Sequence, residues 1–373
     1  MNRLNPYLQD LQKEFRENYP EGPKLIVKCK EKSTEESFRA TYSGGAVTLE
    51  AEGQQAAIFG IGLISAGVAS GHLGECLGVR APKFPLRPLW FSSMENVEEI
   101  CRRVLALGYN AVLLEREGDV ERLVLFREYG IKVILKPEPD LPEGKCFLDQ
   151  EYRDAVREGL RALQQEVPRV DGFFWEGLFG QKDINLHPGA RDLLQVDMAL
   201  KEVRLLEEAI LGDRFLIYYI SCTDLQNAQQ QAAWLPSFCN DVGKQTIIAF
   251  SAVSGDPVLD HLDSHPFWEV LRQSLDVCYT PLLPIINVGA LNQGECLWPT
   301  LALDLINDYC LRCRRHQFAG VLSLVPYLPN PESFLSCNLW VASQVLWGRN
   351  PPELLGKRGL QPFVLSSGFR NLR

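Results

Sequence analysis

The residues of this chain best suited to chemistry are carboxylates that close short apolar runs. Glu176 follows Phe173-Phe174-Trp175 and precedes Gly177. A carboxyl group beside bulky apolar residues is a candidate general acid, since an apolar surround favours the protonated form, and a glycine next to it leaves room for a substrate. The bland alternative is a loop glutamate paired with Lys182. Hydrolysis of a glycoside needs a second carboxyl group across the scissile bond. Glu295, in Asn292-Gln-Gly-Glu-Cys-Leu-Trp298, and Asp256, in Ser254-Gly-Asp-Pro257, are the candidates, although Asp256 also fits an ordinary turn.

Around these acids stand groups that suit a sugar. Glu115, Lys136 and Asn287 can fix hydroxyls, and the faces of Trp175, Tyr218, Tyr219 and Tyr327 can stack on sugar C–H surfaces. Each has a structural alternative: Glu115 as a salt bridge to Arg116 or Lys136, Lys136 and Asn287 as loop tethers, and the aromatic rings as filling for a core.

Such scattered groups meet only if the fold brings strand ends together. From residue 86 onward, apolar strand-like runs alternate with amphipathic helices. The runs are Leu89–Ser92, Ala111–Leu114, Lys132–Leu135, Gly172–Trp175, Phe215–Ile220, Thr246–Phe250, Leu283–Asn287 and Gly320–Val325. Helices are expected over 97–105, 120–128, 152–166, 199–211, 267–277 and 301–315, the first capped by Asn96 with Glu99 three residues on. Eight such repeats predict an α/β fold, a (β/α)8 TIM barrel, whose active site lies at the C-terminal strand ends. An open dinucleotide-binding sheet is disfavoured because no glycine-rich phosphate turn follows the first strand.

Residues 1–85 follow a different pattern. A polar helix from Pro6 to Asn18 precedes strand-like runs at Lys24–Cys29, Ser37–Ser43 and Ala46–Ala51, the last two joined by Gly44-Gly45, a hairpin signal. A helix rich in small residues follows from Gln54 to Val68. This predicts a small α+β domain over 1–85 and a barrel over 86–373, with the proline-rich Ala81-Pro-Lys-Phe-Pro-Leu-Arg-Pro88 as connector.

Composition narrows the function. The chain has 373 residues, 46% hydrophobic and 23% charged, with a formal net charge of −9, which fits a globular protein. With that charge and no basic run beyond Arg312, Arg314 and Arg315, nucleic acid and anionic membranes are not expected partners. The longest apolar and small-residue stretch, Ala56 to Ala69, is too short to span a bilayer. Charged residues follow the N-terminus too early for a signal-peptide core, and the 11 cysteines are odd in number and irregularly spaced. Free buried thiols in the cytoplasm are therefore expected. Cys310 and Cys313 with His316 lack the second pair of a zinc site, and the apolar side of one helix explains them better. His-Glu-x-x-His, P-loop and Gly-x-Ser-x-Gly motifs are absent, so neither a metal nor a cofactor is expected.

Several segments resemble glycosidases that place a small α+β domain before a (β/α)8 barrel, as α-glucuronidases and β-hexosaminidases do. Thr41-Tyr-Ser-Gly-Gly-Ala-Val-Thr-Leu49 and Ala56-Ala-Ile-Phe-Gly-Ile-Gly-Leu-Ile64 resemble the strand pair and small-residue helix of their first domain. Leu107-Gly-Tyr-Asn-Ala-Val112 is similar to the start of the α-glucuronidase barrel, and Asn338 to Pro351 resembles the last barrel helix. Trp175-Glu-Gly-Leu-Phe-Gly180 is similar to the general-acid segment after strand 4, which implies that role for Glu176. Trp175 stands where hexosaminidases carry the aspartate of an Asp-Glu pair, and beyond strand 7 only Glu295 is acidic.

The expected function is glycoside hydrolysis of a carbohydrate by general acid/base catalysis. The alternative is a catalytically degenerate barrel that binds a sugar or a protein partner, and a third reading is a lyase or aldolase using Lys136 as a Schiff-base amine. The sequence leaves the sugar, the linkage and the oligomeric state open. Trp340 and Trp347 on one helix face suit packing against the barrel better than a dimer contact.

Overall fold

A computed structural model describes residues 4–30, 33, 35–91, 96–115, 120–143, 145–177, 195–220, 235–251, 280–288, 313, 318–325 and 334–348. The chain opens with α1 (Leu4–Asn18), which packs on α2 (Gln54–Ser70). Strands β1 (Lys24–Cys29), β2 (Phe38–Ser43), β3 (Ala46–Ala51) and β4 (Gly78–Arg80) form a sheet in the order β1-β3-β2-β4, and α3 (Leu73–Cys76) lies between α2 and β4. β2 and β3 pair antiparallel with Ser43 opposite Ala46. The intervening Gly44 and Gly45 have φ of 57° and 76°, the type I′ geometry that a two-residue hairpin requires. The fourth strand is absent from the sequence reading, because Gly-Val-Arg has no apolar alternation and pairs only through β2.

α2 is buried nearly all round, from Ala56 to Ile64, and carries no polar face. Its environment explains the pattern: Gly60 backs onto Leu49 and Phe38 of the small sheet, while Gly62 lies near the Ala106 carbonyl of the barrel. The helix is thus sandwiched between sheet and barrel, and both sides demand apolar or small residues.

The barrel is closed and all-parallel, running β5 (Pro88–Trp90), β6 (Ala111–Glu115), β7 (Lys132–Lys136), β8 (Gly172–Glu176), β9 (Phe215–Ile220), β10 (Thr246–Ser251), β11 (Leu282–Asn287) and β12 (Leu322–Leu324). Closure is through Ser323 beside Leu89. Between strands lie α4 (Val97–Ala106), α5 (Val120–Glu128), α6 (Gln150–Glu166) and α7 (Gln195–Ala209), with α8 (Phe334–Leu346) after β12. Asn96, at φ 49°, caps α4 by accepting from the Glu99 backbone N–H and donating to its carboxylate. The helices expected over 267–277 and 301–315 fall outside the described residues, apart from Cys313.

Strand alternation sorts the side chains into two layers. Ala111, Leu113, Ile134, Phe174, Ile217, Ala249, Leu283, Ile285 and Leu322 fill the barrel interior. The alternate residues, such as Val112, Val133, Phe173, Leu216, Ile248 and Phe250, join the core beneath the helices. Among the described residues, Cys76, Cys101, Cys146, Cys239 and Cys313 are buried.

A polar lock joins the small sheet to the lower end of the barrel. Arg87 is fully buried, donating to the Glu36 carboxylate at 2.7 Å and to the carbonyls of Gly108 and Phe84. Its guanidinium also lies 5.3 Å from the ring centroid of Trp347, which stacks on Phe59 at 4.2 Å and donates to the Gly108 carbonyl. Trp347 thus packs inside the molecule, as its helix pattern predicts. No described helix is long and apolar enough to cross a membrane.

Candidate active site

Strands β6, β7 and β8 each extend one residue beyond the sequence reading, so Glu115, Lys136 and Glu176 end strands instead of starting loops. By alternation with Leu113, Ile134 and Phe174, all three belong to the inward row at the C-terminal mouth. Register sets their heights: Glu115 pairs with Lys136, while Ile134 pairs with Gly172, which leaves Glu176 two residues further out than Lys136.

Lys136 is the hub of this rim. Its Nζ lies 2.9 Å from Glu176 Oε1 and 5.6 Å from the centroid of the Trp90 ring. Trp90 lies 5.2 Å from Phe174, and Phe174 stacks on Tyr219 at 5.7 Å and 25°. Three aromatic rings therefore line the inside of the mouth next to an ion pair. Glu176 is half exposed and Lys136 largely covered, with side-chain exposures of 50% and 21%.

The expected apolar pocket around Glu176 does not come from the neighbours that suggested it. Phe173 and Trp175 point to the helix layer, because adjacent strand residues face opposite sides; only Phe174 shares the face of Glu176. Lys136 is a cation that it meets, and Lys182 lies outside the described residues.

Trp175 and Tyr218 are corrected from ligand contacts to framework. Both are buried beneath α7, where the Trp175 indole N–H and the Tyr218 hydroxyl donate to Glu202 at 3.1 and 2.5 Å. Neither ring presents a face to a sugar. Tyr219 lies in the inward row. Trp90 and Phe174 are aromatic residues of the mouth that the sequence reading missed; counting back by two from Glu176, and placing Trp90 at the end of the first strand, is the signal that finds them.

Asn287 ends β11 opposite Leu324. Asp256, Glu295 and Tyr327 lie outside the described residues. Among the described residues, no three His, Cys, Asp or Glu side chains gather as metal ligands.

The chain is a closed parallel barrel behind a small mixed sheet, with acids, a lysine and aromatic rings at the C-terminal mouth. Comparison with solved structures finds that same fold. A family 20 β-N-acetylhexosaminidase from Streptomyces coelicolor A3(2) matches with a TM-score of 0.57 at 11% identity, over 92% of this chain and 84% of that one. A family 20 exo-β-N-acetylglucosaminidase from Vibrio harveyi in complex with N-acetylglucosamine matches with a TM-score of 0.56 at 9% identity, over 94% and 70%. The family 89 glycoside hydrolase of Clostridium perfringens, in complex with 2-acetamido-1,2-dideoxynojirmycin, gives 0.55 at 11% identity, and this chain spans half of its length, 50%. No family model matches the chain, and no curated protein matches it in sequence. The resemblance to β-hexosaminidases read from short motifs is thus a resemblance of fold.

Proposed function

We propose that this chain is a glycoside hydrolase that takes its carbohydrate at the C-terminal mouth of the barrel, with Glu176 as general acid. One observation carries this reading: Glu176 stands in the inward row beside Tyr219 and above Phe174, whose ring joins those of Trp90 and Tyr219 in an aromatic lining. Aromatic faces complement the apolar faces of a pyranose, and the carboxyl and ammonium groups beside them hydrogen-bond its hydroxyls. The glycoside hydrolase fold of the solved neighbours, some of them holding sugars or sugar analogues, supports the same reading.

Glu115, Asp256 and Glu295 are the acids to supply the second carboxyl group, with Asn287 and Tyr327 as further sugar contacts. Glu115 is two strands from Glu176, roughly 10 Å sideways and about 7 Å along the barrel from backbone to backbone, so the side chains must close the remaining gap. We place the protein in the cytoplasm, with residues 1–85 as a supporting domain.

A second reading has a specific observation behind it. Lys136 holds Glu176 in an ion pair, and a carboxylate engaged in this way suits a barrel that binds sugar without hydrolysing it. Turnover of aryl glucuronides, aryl N-acetylglucosaminides and related glycosides, measured alongside sugar binding, separates the two. Turnover that disappears in Glu176→Gln supports hydrolysis, whereas saturable binding without turnover supports the second reading.

A further inference from the structure

The buried carboxylate of Glu202 on α7 stands outside the barrel wall, yet it touches β8 and β9, the strands that carry Glu176 and Tyr219. Glu202 is 1% exposed, and a carboxylate so deeply buried is costly unless hydrogen bonds satisfy it. Its two oxygens divide between two strands: Oε1 accepts from Trp175 on β8 and Oε2 from Tyr218 on β9. Trp175 and Tyr218 are register partners, so one carboxylate spans a single rung of the parallel pair. The next rung is Glu176 beside Tyr219, which faces the mouth.

Two further observations concern the chain that leaves Glu176. The Gly177 N–H donates to the Tyr219 carbonyl at 2.9 Å, and a Cβ on Gly177 would lie 2.4 Å from Tyr218 Cζ. The chain leaving Glu176 therefore runs against the ring that Glu202 holds. Hydrogen bonds to an ionised acceptor are the stronger kind, and fixing the rung below leaves the backbone of Glu176 little freedom.

We propose that Glu202 is a positioning residue: from outside the barrel it holds the ends of β8 and β9 so that Glu176 and Tyr219 stand side by side at the mouth. The role of the rung it fixes rests on the proposed general-acid function of Glu176, but the positioning itself does not.

The test compares Glu202→Leu and Glu202→Gln in the full chain. The primary measurement is the NMR titration of the Glu176 side-chain carboxyl carbon, assigned by its loss in Glu176→Gln, with thermal unfolding recorded in parallel. Positioning predicts that Glu202→Leu shifts this titration and that Glu202→Gln, which keeps the shape and an acceptor, restores it towards wild type. With a glycoside that is turned over, Glu202→Leu should lower kcat by about tenfold or more while KM stays within about twofold. If Glu202→Leu does not fold, Trp175→Phe and Tyr218→Phe each remove one donor and give the same reading. The proposal is overturned if these variants lower the melting temperature but leave the Glu176 titration unchanged. Absence of turnover in the wild type would defeat the general-acid reading alone, since the carboxyl titration decides the positioning without it.

Discussion

Lys136 and Glu176 meet at 2.9 Å across neighbouring strands, next to the inward-facing rings of Trp90, Phe174 and Tyr219. The pair is half open to water, and ion pairs of that kind contribute only about 0–1 kcal/mol to stability. Lys136→Met should therefore change the free energy of unfolding by about 1 kcal/mol or less while weakening sugar binding severalfold. Urea denaturation together with calorimetric titration of the bound sugar checks both; a large loss of stability with unchanged binding would make the pair structural.

The lock at the other end of the barrel should behave in the opposite way. Arg87 and Glu36 have side-chain exposures of 1% and 15%, so removing one partner strands a charge in the interior. Glu36→Ala is expected to cost about 3–5 kcal/mol, and adding Arg87→Met should recover part of that loss. Chemical denaturation of the two single variants and the double variant gives the coupling; strictly additive losses would contradict it.

Gly177 tests the geometry beside the rim. A Cβ there would sit 2.4 and 2.5 Å from Tyr218 Cζ and Oη, so one of the two must move. Gly177→Ala should cost about 1–3 kcal/mol through overpacking and displace Glu176. Thermal unfolding and a ligand titration read the two effects, and wild-type stability with unchanged binding would contradict the expectation.

Tyr7 gives a pH signature remote from the site. Burial pushes its phenol well above its ordinary value, while the nearby Arg102 opposes the shift. A raised phenol keeps its full stabilising effect below the unfolded value, near 10, and loses it as pH rises towards the folded value. Wild-type protein should lose stability above about pH 10 with a contribution from Tyr7 of at most about 1.4 kcal/mol per pH unit, which Tyr7→Phe removes. Denaturant midpoints at pH 8 and 11 for both proteins check it; equal alkaline losses would assign the effect elsewhere.

Much of this architecture can be read in the sequence, because the barrel is local and periodic. Each strand is a short apolar run, α4 carries its own cap in Asn96, and Gly44-Gly45 announces its hairpin. The site was harder to read because types and positions near strand ends do not state a facing. By type Trp175, Tyr218 and Tyr219 are equivalent, yet period-two alternation sends Trp175 and Tyr218 to the helix layer and Tyr219 to the interior. Glu202 has no local signal at all; an acid on the apolar side of α7 makes sense only once the indole and phenol of two other elements are seen to reach it. β4 is too short to be a strand except beside β2.

The account turns on Glu176. The most direct measurement is hydrolysis of a panel of aryl glycosides, including glucuronides and N-acetylglucosaminides, by the wild type and by Glu176→Gln. The account predicts turnover of at least one glycoside by the wild type, and a loss of about a hundredfold or more in the variant with sugar binding retained. Undiminished turnover in Glu176→Gln, or no turnover of any glycoside beside saturable sugar binding, would contradict it.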